Sequence, residues 1–91
     1  MLGGTGTDTL TLSAAQTSGT IDLGGGSDKI TLFNANNTVS LGNVETIVGN
    51  AGDDLITLTT AISGGSVSLG SGADVLTLAN FNNSLSIDAA I

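Results

Sequence analysis

The sequence predicts an all-β protein, a β-solenoid (parallel β-roll or β-helix) of about four coils, internally duplicated with a 46-residue period. Three observations predict it. Shifting the chain by 46 residues aligns it with itself without gaps and makes 17 of 45 positions identical. Apolar residues recur at every second position in short runs bounded by Gly and Asp, the period of a strand and not of a helix. A unit of one turn and two short strands cannot bury its own apolar face, so such units fold only by stacking, each coil hydrogen-bonding to the next.

The two repeat halves, 1–46 and 47–91, each hold two weaker copies of one plan. A Gly-rich turn ends in Asp, a strand follows, then a polar tip, then a returning strand. The first strands are Leu10-Thr11-Leu12, Ile30-Thr31-Leu32, Ile56-Thr57-Leu58 and Leu76-Thr77-Leu78, with aliphatics on one face and Thr on the other. The returning strands are Ile21-Asp22-Leu23, Val39-Ser40-Leu41, Val67-Ser68-Leu69 and Leu85-Ser86-Ile87, again with aliphatics inward. The expectation is one wall of first strands and one of returning strands. No helix is expected, because Gly and Thr are poor helix formers by up to about 1 kcal/mol per residue.

The motif aspartates Asp8, Asp28, Asp54 and Asp74 are separated by 20, 26 and 20 positions, and the extra residues fall in "GNVETIVGN" (42–50). Val44, Ile47 and Val48 there suggest a third short strand or a bulge. Coils of about 23 residues, or of 46 with a wide core, both remain compatible with the spacing. Phe33 and Phe81, the only aromatics, are expected to fill gaps in a thin core.

Composition narrows the function. At 91 residues the chain is one domain or a piece of one. It has no Cys and no His, which removes disulfides, thiolate metal sites and the usual general base. With a net charge of −7 and Lys29 as the single base, nucleic acid is not an expected partner, whereas a cation is. Twelve Leu, seven Ile and five Val are too many for a solvated coil. No apolar run approaches the roughly 20 residues of a membrane span, and no signal peptide follows Met1. The acids cluster in turns without a partnering base, so neither an enzyme nor a small-molecule substrate is expected.

The turns read "GGTGTD", "LGGGSD", "GNAGDD" and "LGSGAD", each followed one residue later by an aliphatic. This pattern resembles the Gly-Gly-x-Gly-x-Asp-x-aliphatic-x nonapeptide of RTX proteins, secreted bacterial β-rolls whose stacked turns bind calcium. Gly3 to Thr11 matches at every defined position, while Leu23, Leu69 and Asn50 depart from the glycine pattern. A second departure is that the nonapeptide occurs once per coil, not back to back. The resemblance implies Ca2+ held by Asp8, Asp28, Asp53, Asp54 and Asp74 with the turn glycines Gly4, Gly6, Gly24, Gly26, Gly52, Gly70 and Gly72, all along one edge. The metal-free alternative has each Asp accepting backbone N–H bonds of its own turn. Like charges about 5 Å apart along an edge favour a cation between them.

The tips "NANN" (34–37) and "NFNN" (80–83) suggest left-handed turns and stacked Asn amides. A single row of Thr11, Thr31, Thr57 and Thr77 on an outer face raises ice binding as a minor alternative. The phrase "NVETIVGNAGDDLITL" (43–58) resembles linking segments of large repetitive bacterial surface proteins, including adhesins and surface-layer proteins. What the resemblance implies is a structural segment of a secreted, extracellular bacterial surface protein or filament, exported by a distant signal. The alternative is an RTX-type calcium-dependent folding and secretion module of a toxin or hydrolase. Neither end reads as a cap, and the chain finishes in the apolar "DAAI". The expected partners are therefore copies of the chain or adjoining repeats of a longer array, through open solenoid ends.

Overall fold

The computed structural model describes residues 3–88, and Ala89 to Ile91 of the apolar ending lie outside the described residues. The strands are β1 (Thr9–Thr11), β2 (Thr20–Asp22), β3 (Lys29–Thr31), β4 (Asn37–Gly42), β5 (Thr46–Val48), β6 (Asp54–Leu58), β7 (Ser63–Ser68), β8 (Val75–Thr77) and β9 (Ser84–Asp88). Odd-numbered strands form a five-stranded parallel sheet and even-numbered strands a four-stranded parallel sheet. Two successive strands and their two turns make one coil, so the chain winds as a β-solenoid of a little over four coils, with no helix among the described residues.

Pairing fixes the coil length. Thr9 lies beside Lys29, Lys29 beside Thr46 and Thr46 beside Ser66, steps of 20, 17 and 20 residues. The coil is therefore shorter than either length expected. The reason is β5: the residues 46–48 of "GNVETIVGN" are a full strand between β3 and β7, so the third turn of chain completes itself in that segment.

That added strand has a large consequence. The 46-residue repeat equals two and a half coils, so it carries β1 onto β6 and β3 onto β8, from one sheet to the other. The two halves are related by a half-turn screw about the solenoid axis. The expected walls of first and returning strands therefore do not form: Ile30 neighbours Ile47, and Val39 neighbours Ile56. The single Thr row is likewise split, Thr11 pairing with Thr31 in one sheet and Thr57 with Thr77 in the other.

Alternation does set the faces as expected. Leu10, Ile30, Ile47 and Val67 stack in one inward column, Ile21, Leu41 and Leu58 in another, and Val39, Ile56 and Leu76 in a third. Ile30, Ile47, Ile56 and Val67 are fully buried; burying each such side chain is worth roughly 1.5–3 kcal/mol. Leu10 and Leu12 in the first coil are only partly buried. In the last coil Leu78 and Ile87 are 39% and 49% exposed, because no further coil covers them among the described residues. Phe33 and Phe81 correct the gap-filling expectation: they stand exposed on the polar tips, since the narrow core between the two sheets is already filled by aliphatics.

Candidate functional site

The half-turn screw reorganises the predicted metal residues. Asp8 and Asp28 stand directly before β1 and β3, on one edge, and Glu45 takes the same place before β5. Asp54 and Asp74 stand at the starts of β6 and β8, on the opposite edge, where Asn37 occupies the equivalent position in β4. The single line of five aspartates is thus corrected to two separate edges, with Asp28 and Asp54 not stacked. Asp53 points outward and is exposed, accepting the Ala73 N–H at 2.8 Å across the coil boundary.

On each edge the side chain just before a strand turns inward and reaches back to the preceding coil. The Asp8 N–H donates to Asp28 Oδ1 at 2.8 Å, and the Asp28 N–H donates to Glu45 Oε2 at 2.9 Å. Across the molecule the Gln16 N–H donates to Asn37 Oδ1 at 2.9 Å, Asn37 Nδ2 to Asp54 Oδ1 at 2.8 Å, and the Asp54 N–H to Asp74 Oδ1 at 2.9 Å. Farther along the Asp8, Asp28 and Glu45 edge, the Ile62 N–H donates to Asn83 Oδ1 at 3.0 Å. Asp28, Asp54 and Asp74 therefore accept bonds between coils, not from their own turns as the metal-free alternative has it. The N–H groups of Asp8, Gln16, Asp28, Asp54 and Ile62 are satisfied in this way by a carboxylate or amide of the neighbouring coil.

Asn37 and Asn83 each donate Nδ2 to two carbonyls of their own tip, Phe33 and Ala35 in one case and Ala79 and Phe81 in the other. These tips do not stack Asn on Asn, because the half-turn offset places them on opposite edges. The sequence signal for Glu45 was present: Glu45-Thr46-Ile47-Val48 repeats the acid-x-aliphatic spacing of Asp28-Lys29-Ile30-Thr31.

Four carboxylate oxygens are left over. Oδ2 of Asp8, Asp28, Asp54 and Asp74 is buried without any hydrogen-bond partner. Asp28 and Asp54 are each only 1% exposed and Asp74 5%. Burial pushes the Asp54 carboxyl above its ordinary pKa; the Asn37 amide opposes this, and the charge of Asp74 adds to it. Asp22, on the turn side of β2, is held below its ordinary pKa by bonds from the Asn43 amide and the Gly24 N–H.

Gly4 and Gly6 have φ of 97° with nothing within 4 Å of a built Cβ, whereas the later turn glycines also answer to backbone stacking. Gly24 and Gly70 have φ of 79° and 75°, and a Cβ on either would run into the carbonyl oxygen of Gly4 or Asn50 in the preceding coil. Asn50 replaces glycine in its turn by adopting φ 67°, a left-handed conformation Asn tolerates. Gly26 and Gly72 stack on Gly6 and Gly52 in the same way, and Gly52 on Ala35.

The orphaned oxygens fit a cation, since a buried carboxylate oxygen needs a proton or a positive charge to offset its desolvation. Among the described residues no three acidic side chains converge, so an ion there would draw further oxygens from turn carbonyls. Compared with family models, curated proteins and solved structures, the chain matches none.

Proposed function

We propose that the chain is a structural, calcium-binding β-solenoid segment of a secreted bacterial surface or extracellular filament protein, with coils that stack end to end. The observation that carries the reading is the pair of stacked carboxylates on each edge, Asp8 with Asp28 and Asp54 with Asp74, each keeping one buried oxygen that no donor reaches. A net charge of −7 with a single Lys29 leaves these groups without an internal counter-ion. Calcium suits such edges because it accepts carboxylate and backbone carbonyl oxygens in a flexible shell. The likeness of the turns to RTX nonapeptides supports the same ion and an extracellular setting.

The stacking half of the reading is supported by the open parallel sheets and by the apolar Leu78 and Ile87 at the last coil. The test is calcium titration of chelator-treated protein, with heat of binding and β-structure followed together. Saturable binding at or below about 1 mM, the weak end for extracellular modules, with a gain in thermal stability is the expected result. Absence of binding and an unchanged melting curve overturn the calcium assignment, and a strictly monomeric chain overturns the stacking role.

A further inference from the structure

The half-turn screw makes the two ends of the solenoid complementary. In its interior, β4 pairs with β6 in the register Asn37 to Asp54, Thr38 to Leu55, Val39 to Ile56 and Leu41 to Leu58. Asn37 Nδ2 then donates to Asp54 Oδ1 at 2.8 Å. Advancing by the 46-residue repeat carries Asn37 onto Asn83 and β4 onto β9. Nδ2 of Asn83 keeps the two tip bonds of its counterpart but meets no carboxylate among the described residues. Reversing the same step carries Asp54 onto Asp8 and β6 onto β1. Asp8 has an N–H bond to Asp28, as Asp54 has to Asp74, but no amide donates to it from a preceding coil among the described residues.

We propose that a second copy of this chain docks head to tail on β9, continuing the five-stranded sheet from β9 into the β1 of the next copy. The register is that of the β4–β6 joint: Asn83 beside Asp8 of the second copy, Ser84 beside Thr9, Leu85 beside Leu10 and Ile87 beside Leu12. Asn83 Nδ2 donates to the Asp8 carboxylate, completing at the junction the bond that Asn37 and Asp54 make inside the molecule. Leu85 and the half-exposed Ile87 are covered by Leu10 and Leu12, which are the partly buried aliphatics of the first coil. Donor meets acceptor and apolar meets apolar only in this polarity, because two copies of the same end would set like edges together.

This docking rests on the end-to-end reading above and fixes its polarity and register. The chain has no Cys, and Thr9 and Ser84 are both exposed on the outer face, so Thr9→Cys and Ser84→Cys leave the core untouched. Parallel strand neighbours lie about 4.8 Å apart. Sedimentation velocity of the unmodified chain over a wide concentration range reads stacking. A short thiol cross-linker added to mixed single-Cys variants reads the register. The expected result is concentration-dependent association, with dominant Thr9→Cys/Ser84→Cys heterodimers and little product from Thr11→Cys with Ser84→Cys. Association with Ser84→Cys homodimers, or with Thr11→Cys as the better partner, overturns the proposed junction while leaving stacking intact. A chain monomeric at every concentration overturns both.

Discussion

Asn37 Nδ2 donates to Asp54 Oδ1 across 2.8 Å between two residues each only 1% exposed, and this buried bond joins one half-repeat to the next. Asn37 also donates to the Phe33 and Ala35 carbonyls and accepts the Gln16 N–H. Asn37→Ala therefore strands several buried groups at once. A loss of roughly 2–4 kcal/mol in urea unfolding is expected. Asn83→Ala, at the half-buried counterpart without the carboxylate partner, costs less in dilute solution.

The raised pKa of Asp54 gives a signed dependence on pH. A carboxyl whose folded pKa lies above its unfolded value binds protons more tightly when folded. Its penalty is present in full above the folded pKa and is relieved as pH falls toward the ordinary carboxylate value. In chelator, stability is expected to rise on acidification through that window, and Asp54→Asn, which keeps the Oδ1 acceptor, is expected to stabilise the neutral protein and flatten the rise. Asp22 acts oppositely: its contribution is present above the ordinary carboxylate pKa and lost below it, and solvent screening keeps it small. Thermal melts of wild type and Asp54→Asn from pH 3 to 8, about one unit apart, check both signs. Adding calcium is expected to reverse the benefit of Asp54→Asn, because the variant removes one of the two charges on that edge.

Glycine substitutions separate conformational strain from collision. At Gly64, φ is 72° but nothing lies within 4 Å of a built Cβ, so Gly64→Ala is expected to cost about 1 kcal/mol. Gly24→Ala and Gly70→Ala meet the same strain plus a backbone carbonyl oxygen of the preceding coil. Neither carbonyl belongs to a flexible side chain, so both variants are expected to lose several-fold more stability than Gly64→Ala, or to fail to fold. Denaturation midpoints of the three variants make the comparison.

Ile47 tests the added strand. It is fully buried between Ile30 and Val67, and Ile47→Ala is expected to cost about 2–5 kcal/mol. Leu78→Ala, at the exposed last coil, is expected to cost under about 1 kcal/mol in the monomer. If "TIV" were only a surface bulge, the two substitutions would be alike in urea unfolding.

The strand faces were legible because alternation in runs such as Leu10-Thr11-Leu12 decides which side chains point inward. Which strands lie side by side was not. A period of two fixes a face but not a neighbour, and Val39 looks equally suited to stand beside Ile21 or Ile56. The choice turned on whether Thr46–Val48 was a strand, and three residues are too few for their own pattern to decide it. The same ambiguity hid the division of the carboxylates: Asp28 and Asp54 share a motif but sit on opposite edges. The shared place of Glu45 and Asn37 does not follow from an Asp motif, because the fold asks only for an acceptor of one backbone N–H.

A repeat worth two and a half coils carries a rule of parity. A chain lengthened by one such unit would emerge on the edge opposite its entry, and one lengthened by two would emerge on the same edge. Duplication or loss of a single unit would turn everything downstream by half a revolution, exchanging a carboxylate-lined flank for an amide-lined one. Growth of such a protein by pairs of units would preserve its facing, and growth by single units would alternate it.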